Sequence, residues 1–192
     1  MALFPEAYEI TLKHEGGYVN DPDDVGGETY KGISRKYHPS WPGWKIVDSA
    51  KSTPSFPDCI KYNSELNSMI MEFYRASYWD RFWGDQIISQ AIAIELFDTA
   101  VNMGVTRAVK FLQSGLNLLN RNQLNYPDIV EDGKFGRATM NALNSYSYMD
   151  DVSHLLKVLN ILQGMHYIEY AKKSATQERY MRGWLSRVSI TK

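Results

Sequence analysis

Apolar positions recur at helical spacing along most of the chain. Ala7, Tyr8, Ile10 and Leu12 follow Pro5 and Glu6, two residues suited to a first helical turn, and the run stops at Gly16-Gly17. Leu66, Met69, Ile70, Phe73 and Ala76 mark one face of a helix from about Ser64 to Trp79. Residues 87 to 103 are apolar almost all round, which predicts a buried central helix closed by Gly104. Thr106 is placed to cap the next helix, whose stripe is Val109, Leu112, Leu116 and Leu119. A short helix near Arg137 to Leu143 is expected after Asp132-Gly133. A long one follows from about Asp151 to Lys173, with Val152, Leu155, Leu159, Leu162 and His166 on one side, and a last helix spans Gln177 to Val188.

Two stretches break the period. From Gly16 to about Gly32, Asn20-Asp21-Pro22-Asp23-Asp24 and Gly26-Gly27 surround short pieces able to pair as strands, so a loop or small β-hairpin is expected after the first helix. Pro39, Pro42, Pro54 and Pro57, with Trp41 and Trp44 between them, predict an ordered but irregular surface connection. The fold class is therefore mainly α. At 192 residues and 44% apolar content the chain suits one compact domain or a domain with a small subdomain. A boundary near residue 104 separates 1–104 from a helical 105–192, and the buried character of the helix before it predicts that both halves share one core.

Charge and composition narrow the function. Twenty-one basic against 22 acidic residues give no global attraction to nucleic acid or to an anionic membrane. No apolar run approaches the ~18 residues of a membrane-spanning helix, and Met1-Ala2-Leu3-Phe4-Pro5-Glu6 lacks a secretory signal's basic and apolar regions. Synthesis in the cytoplasm without a signal peptide is the expectation. Cys59 is the only cysteine, which excludes a disulfide or thiolate cluster within the chain. His38, His154 and His166 show no metal-ligand spacing, so neither a metal nor a cofactor is expected. The 13% aromatic content has two readings, a ring-rich core and ring faces lining a sugar-binding groove.

The segment Glu15-Gly16-Gly17-Tyr18-Val19-Asn20-Asp21-Pro22 carries the chemistry. A carboxyl at the negative end of a helix dipole resists ionisation, and partial burial raises its pKa further. Glycosidic cleavage needs such an acid, still protonated near neutral pH, to protonate the leaving oxygen, and Glu15 is the candidate. A second carboxylate would stabilise the anomeric carbon or orient water, and among Asp21, Asp23 and Asp24 the first choice is Asp24. Turn hydrogen bonds are the alternative use for all three aspartates. Thr29 is a candidate to hold the water. Tyr18 and Asn20 are candidate substrate-binding residues, as is Trp79 by stacking, with core packing as its alternative. Asn102 is placed to bond a sugar N-acetyl group or to be a satisfied buried amide. His14 projects about 100° away from Glu15 on a helix and falls outside this set. An EF-hand is excluded, since Val25 and Gly32 stand where calcium ligands are needed.

The run from Glu15 to Ile33 resembles the signature of glycoside hydrolase family 108, the phage-endolysin-like N-acetylmuramidases. That resemblance implies that the Glu of the EGG triplet, here Glu15, is catalytic. In related phage lysozymes an Asp follows nine residues after the Glu, which Asp24 matches; a Thr follows six after that Asp, whereas Thr29 comes five after Asp24. Tyr78-Trp79, Asp98-Thr99-Ala100-Val101-Asn102-Met103-Gly104 and Ala108 to Gln113 resemble the family's middle region. Asp132-Gly133-Lys134-Phe135-Gly136 and Gly183-Trp184-Leu185-Ser186-Arg187-Val188 are similar to the predicted peptidoglycan-binding region that follows it.

The resemblance implies a lysozyme-like fold and hydrolysis of the β-1,4 bond between N-acetylmuramic acid and N-acetylglucosamine. A monomer acting on peptidoglycan glycan strands at the periplasm or cell wall is expected, with a separately encoded holin or export partner. A lytic transglycosylase and a non-catalytic peptidoglycan-binding or secretion-assisting protein are the rival readings.

Overall fold

The structure, a computed structural model, describes residues 1–12, 16–20, 27–173 and 175–189. Glu15, His14, Asp21, Asp23 and Asp24 lie outside these. The described chain is mainly α, with a small three-stranded antiparallel sheet after the first helix. It divides into two compact units, Tyr8–Ser77 and Met1–Ala7 with Tyr78–Lys192.

In the smaller unit, helix α1 (Phe4–Leu12) contributes its second half, and the sheet follows as β1 (Tyr18–Val19), β2 (Thr29–Tyr30) and β3 (Ile33–Ser34). Tyr18 pairs with Tyr30, and Tyr30 with Ile33. The last hairpin turns through Lys31 and Gly32 alone, at φ 43° and 78°. Two successive positive φ values are what a two-residue hairpin turn of native twist requires. Tyr30 and Ile33 are thereby buried on either side of it.

The proline and tryptophan stretch differs from its expectation, because part of it is helix α2 (Gly43–Ala50). Pro42 stands at the helix start, where a missing N–H costs nothing. Trp41 and Trp44 are buried and meet edge to face at 5.3 Å, and Trp44 Nε1 donates to the His38 carbonyl at 2.8 Å. Helix α3 (Ser64–Tyr74) is capped by Asn63, whose Oδ1 accepts from the Leu66 amide at 2.8 Å. The single helix expected over 64–79 changes character at Arg75, where a π-helical turn, Arg75–Trp79, begins.

The larger unit holds α4 (Gln90–Met103), α5 (Val105–Leu119), α6 (Arg137–Met149), α7 (Val152–Lys173) and α8 (Met181–Leu185). Ser89 caps α4, so the buried helix begins at 90 rather than 87. Thr106 does not cap α5. That helix starts one residue earlier, directly after Gly104 at φ 87°, and Thr106 lies inside its first turn. The last predicted helix is instead a 3-10 segment, Ala175–Tyr180, followed by α8.

Trp79 lies in this unit's core, with the rings of Phe4, Phe82 and Phe97 at 5.5 to 5.9 Å. Gly84 is required beside it, since a Cβ there would lie 2.2 Å from Trp79 Cε2. The turn at Asp132-Gly133 is pinned from α5 by the buried Gln113. Its Oε1 accepts from the Gly133 amide at 2.8 Å, and its Nε2 reaches Asp132 Oδ1, the Lys134 carbonyl and Thr139 Oγ1 at 3.0 to 3.3 Å. Gly133 has φ 73° and would meet the Thr106 backbone at 2.6 Å through a Cβ, so no other residue fits without strain.

Candidate functional site

A cleft of about 560 Å³ opens on the smaller unit. Gly16, Gly17 and Tyr18 form one side, the residues that come directly after Glu15 in the chain. The β2–β3 hairpin adds Tyr30 and Lys31, and the segment after α2 adds Pro57, Asp58, Lys61 and Tyr62. The backbone closes the first junction, with the Lys31 amide donating to the Gly17 carbonyl at 3.1 Å.

Several bonds hold the hairpin wall in place. The Tyr74 hydroxyl donates to the Lys31 carbonyl at 2.9 Å, and Lys31 Nζ donates to Asn67 Oδ1 at 3.1 Å. Tyr30 is buried, with its hydroxyl on the Ile60 carbonyl at 3.3 Å. Burial, then the neighbouring Lys61 ammonium, lowers the pKa of Lys31. A wall that carries two ammonium groups, one carboxylate and the accessible rings of Tyr18 and Tyr62 suits a polyhydroxylated ligand with apolar ring faces and acidic substituents.

Tyr18 is anchored from behind. Its hydroxyl donates to Glu28 Oε1 at 3.0 Å, and Phe56 meets its ring edge to face at 4.6 Å. Burial and then the Glu28 hydrogen bond raise its pKa, so the phenol is protonated at neutral pH. Glu28 also stands 2.6 Å from Lys51 Nζ and 2.8 Å from Arg35 Nε. Arg35 and Lys51 in turn meet Asp48 on α2, at 2.6 and 3.0 Å. Two cations alternating with two anions fix the edge of the sheet to α2 and set the position of the Tyr18 ring.

The other sequence candidates fall differently. Thr29 precedes the cleft residue Tyr30, and its hydroxyl donates to the Gly27 carbonyl at 3.1 Å, which leaves its lone pairs as acceptors. Asn20 is exposed, and neither it nor Thr29 lines the cleft. Trp79 and Asn102 belong to the larger unit. Trp79 is 0% exposed and its Nε1 donates to Asp85 Oδ1 at 2.8 Å. Sugar stacking by Trp79 is therefore corrected to core packing, because no ring face is open. Asn102 is exposed and its Nδ2 donates to the Asp98 carbonyl at 2.8 Å, so it is not a buried amide.

Sequence reasoning missed Lys31, Asp58, Lys61 and Tyr62. The clue for Lys31 was a Lys-Gly pair between short β-prone pieces. The others stand more than 40 residues beyond Glu15, in a stretch read only as connection.

In the larger unit, the Asp98 to Gly104 motif and the Gly183 to Val188 motif meet. Arg187 Nη1 stands 2.8 Å from Asp98 Oδ1, and Gln163 Nε2 donates to Asp98 Oδ2 at 3.0 Å. One turn earlier on α4, Glu95 is 8% exposed and accepts from Asn160 Nδ2 at 3.0 Å and from Thr99 Oγ1 at 3.4 Å. Burial, reinforced by the Asp98 charge, pushes its pKa up to about 7. These acids are spent on holding α4, α7 and the C-terminal segment together. No helix among the described residues is long and apolar enough to cross a membrane.

The family model for glycosyl hydrolase 108 matches residues 8–104, and that for a predicted peptidoglycan domain matches 107–189. The two matches part at 104 to 107, whereas the compact units part at 77 and 78. No curated protein matches the chain at a significant level. Among solved structures, Brucella abortus SagA is similar in fold, with a TM-score of 0.61, 24% identity, and coverage of 96% of this chain and 88% of that one.

Proposed function

The chain belongs to the glycosyl hydrolase 108 family, and from that premise we propose that it hydrolyses the β-1,4 bond between N-acetylmuramic acid and N-acetylglucosamine, with Glu15 as general acid. The observation that carries this reading is the cleft itself, one side of which is Gly16, Gly17 and Tyr18, the continuation of the chain from Glu15. The peptidoglycan domain matched at 107–189 supports peptidoglycan as the polymer.

In this reading the Glu15 carboxyl gives its proton to the bridging oxygen as the bond to the anomeric carbon breaks. Water adds its hydroxyl to that carbon and releases its proton to solvent, from which the Glu15 carboxylate is reprotonated, with Asp24 as the orienting or stabilising carboxylate. Asp58 is the carboxylate that lines the cleft among the described residues, and it is the natural competitor to Asp24. Lys31 and Lys61 supply cations for the lactyl and peptide-stem carboxylates of the substrate. Such work lies outside the cytoplasmic membrane, so an export route or a holin is part of the proposal.

The test is release of soluble muropeptides from purified peptidoglycan. Reducing ends in the product identify hydrolysis, 1,6-anhydro ends would replace it by transglycosylation, and no release at all would leave a binding protein.

A further inference from the structure

The end of α4, the last turns of α7 and α8 enclose a second pocket, of about 200 Å³, wholly within the larger unit. At ~30 Å³ per water it has room for about seven waters, the scale of one sugar ring rather than of an extended chain. Its lining contains no formally charged side chain: Asn102, Met103, His166, Tyr167, Tyr170 and Trp184. Arg107, Glu169 and Lys173 act on His166 from outside this lining, so the pocket's own side chains match a neutral polar ligand.

The rings pack on one another, with Trp184 half-buried between Tyr167, Tyr170 and Tyr180, the last at 5.9 Å and 32°. Tyr167, 4% exposed, stacks on Trp184 at 5.3 Å and 11°. Tyr170, 48% exposed, meets Trp184 at 5.8 Å and 55° and stacks against His166. Aromatic faces set at an angle accept the apolar C–H face of a pyranose while its hydroxyls remain at the rim. The polar groups at that rim are defined. Asn102 Nδ2 is committed to the Asp98 carbonyl, so its Oδ1 is the acceptor on offer, matched to an acetamido N–H. Burial, then Arg107, lowers the pKa of His166, which keeps the imidazole neutral, with one donor and one acceptor for hydroxyls. The Tyr167 hydroxyl is buried without a hydrogen-bond partner among the described residues.

We propose that this pocket is a saccharide subsite that holds one N-acetylated amino-sugar ring of a glycan strand, with Tyr170 and Trp184 as the stacking platform and Asn102 as acceptor for the acetamido group. The proposal rests on the peptidoglycan reading above and places glycan contact on the half matched as a peptidoglycan domain.

Two measurements on the full chain test it. In an NMR titration with the N-acetylglucosamine tetramer, the Trp184 indole N–H, assigned through Trp184→Phe, and the Asn102 side-chain amide are expected to shift. In sedimentation with purified peptidoglycan in the Glu15→Gln background, which prevents turnover, Tyr170→Ala is expected to bind about tenfold more weakly and Tyr170→Phe to bind as the parent. Shifts confined to other residues, together with unchanged sedimentation of Tyr170→Ala, would overturn the subsite and leave the hydrolase reading standing. Neither binding nor muropeptide release by the unmodified protein would overturn both.

Discussion

Replacing Glu95 by Gln isolates the electrostatic cost of a carboxyl buried between α4 and α7. The folded-state pKa is raised from 4.5 to about 7 by burial and by Asp98. At ~1.36 kcal/mol per unit the shift corresponds to about 3 kcal/mol. In the window from 4.5 to about 7 the unfolded chain has released this proton and the folded chain retains it. The contribution is therefore fully present below 4.5 and is lost as pH rises through about 7. The substituted glutamine cannot titrate. It keeps one carbonyl acceptor for Asn160 or Thr99, so at pH 5 the two proteins should agree to within about 1 kcal/mol. At pH 8 the Glu95→Gln protein should be the more stable by about 2–3 kcal/mol. Urea unfolding followed by tryptophan fluorescence across this range measures the difference. A parallel fall in both proteins, or a flat profile in the unmodified one, would refute the assignment to Glu95.

Other outcomes follow from the packing and the site. Gly84→Ala should lower stability by about 1–3 kcal/mol or more, because its methyl group overlaps the Trp79 ring; an unchanged melting temperature would contradict that contact. Gln113→Leu leaves the Gly133 amide buried without its acceptor and should cost about 2–3 kcal/mol, with faster amide exchange at Gly133 as the local readout. Asp24→Asn should reduce muropeptide release substantially but incompletely, and Asp58→Asn should do less. The reverse order in initial-rate assays would transfer the second carboxylate role to Asp58.

Much of the helical framework was legible from apolar periodicity, because each stripe reports a face that local spacing alone defines. Helix α2 was not, since prolines at 39 and 42 read as breakers although Pro42 stands where a helix tolerates one. The cap expected from Thr106 failed because Gly104 redirects the chain one residue sooner. Trp79 illustrates a different limit. Its place in the sequence suits either a cleft or a core, and only the converging rings of Phe4, Phe82 and Phe97 decide for the core. For the candidate site, the segment after Glu15 was visible as a motif, while the facing wall of Asp58, Lys61 and Tyr62 depends on contacts across more than 40 residues. The Asp98–Arg187 pair, 89 residues apart, is likewise a product of the tertiary fold. It gives two separate sequence motifs a shared structural task.

The central claim is that Glu15 supplies the proton that breaks the glycan strand. Its most direct test compares soluble muropeptide release from purified peptidoglycan by the unmodified protein and by Glu15→Gln at equal concentration and equal thermal stability. Loss of a general acid is expected to lower the rate by at least about 100-fold, with binding to peptidoglycan retained. Equal rates in the two proteins would remove Glu15 from the mechanism.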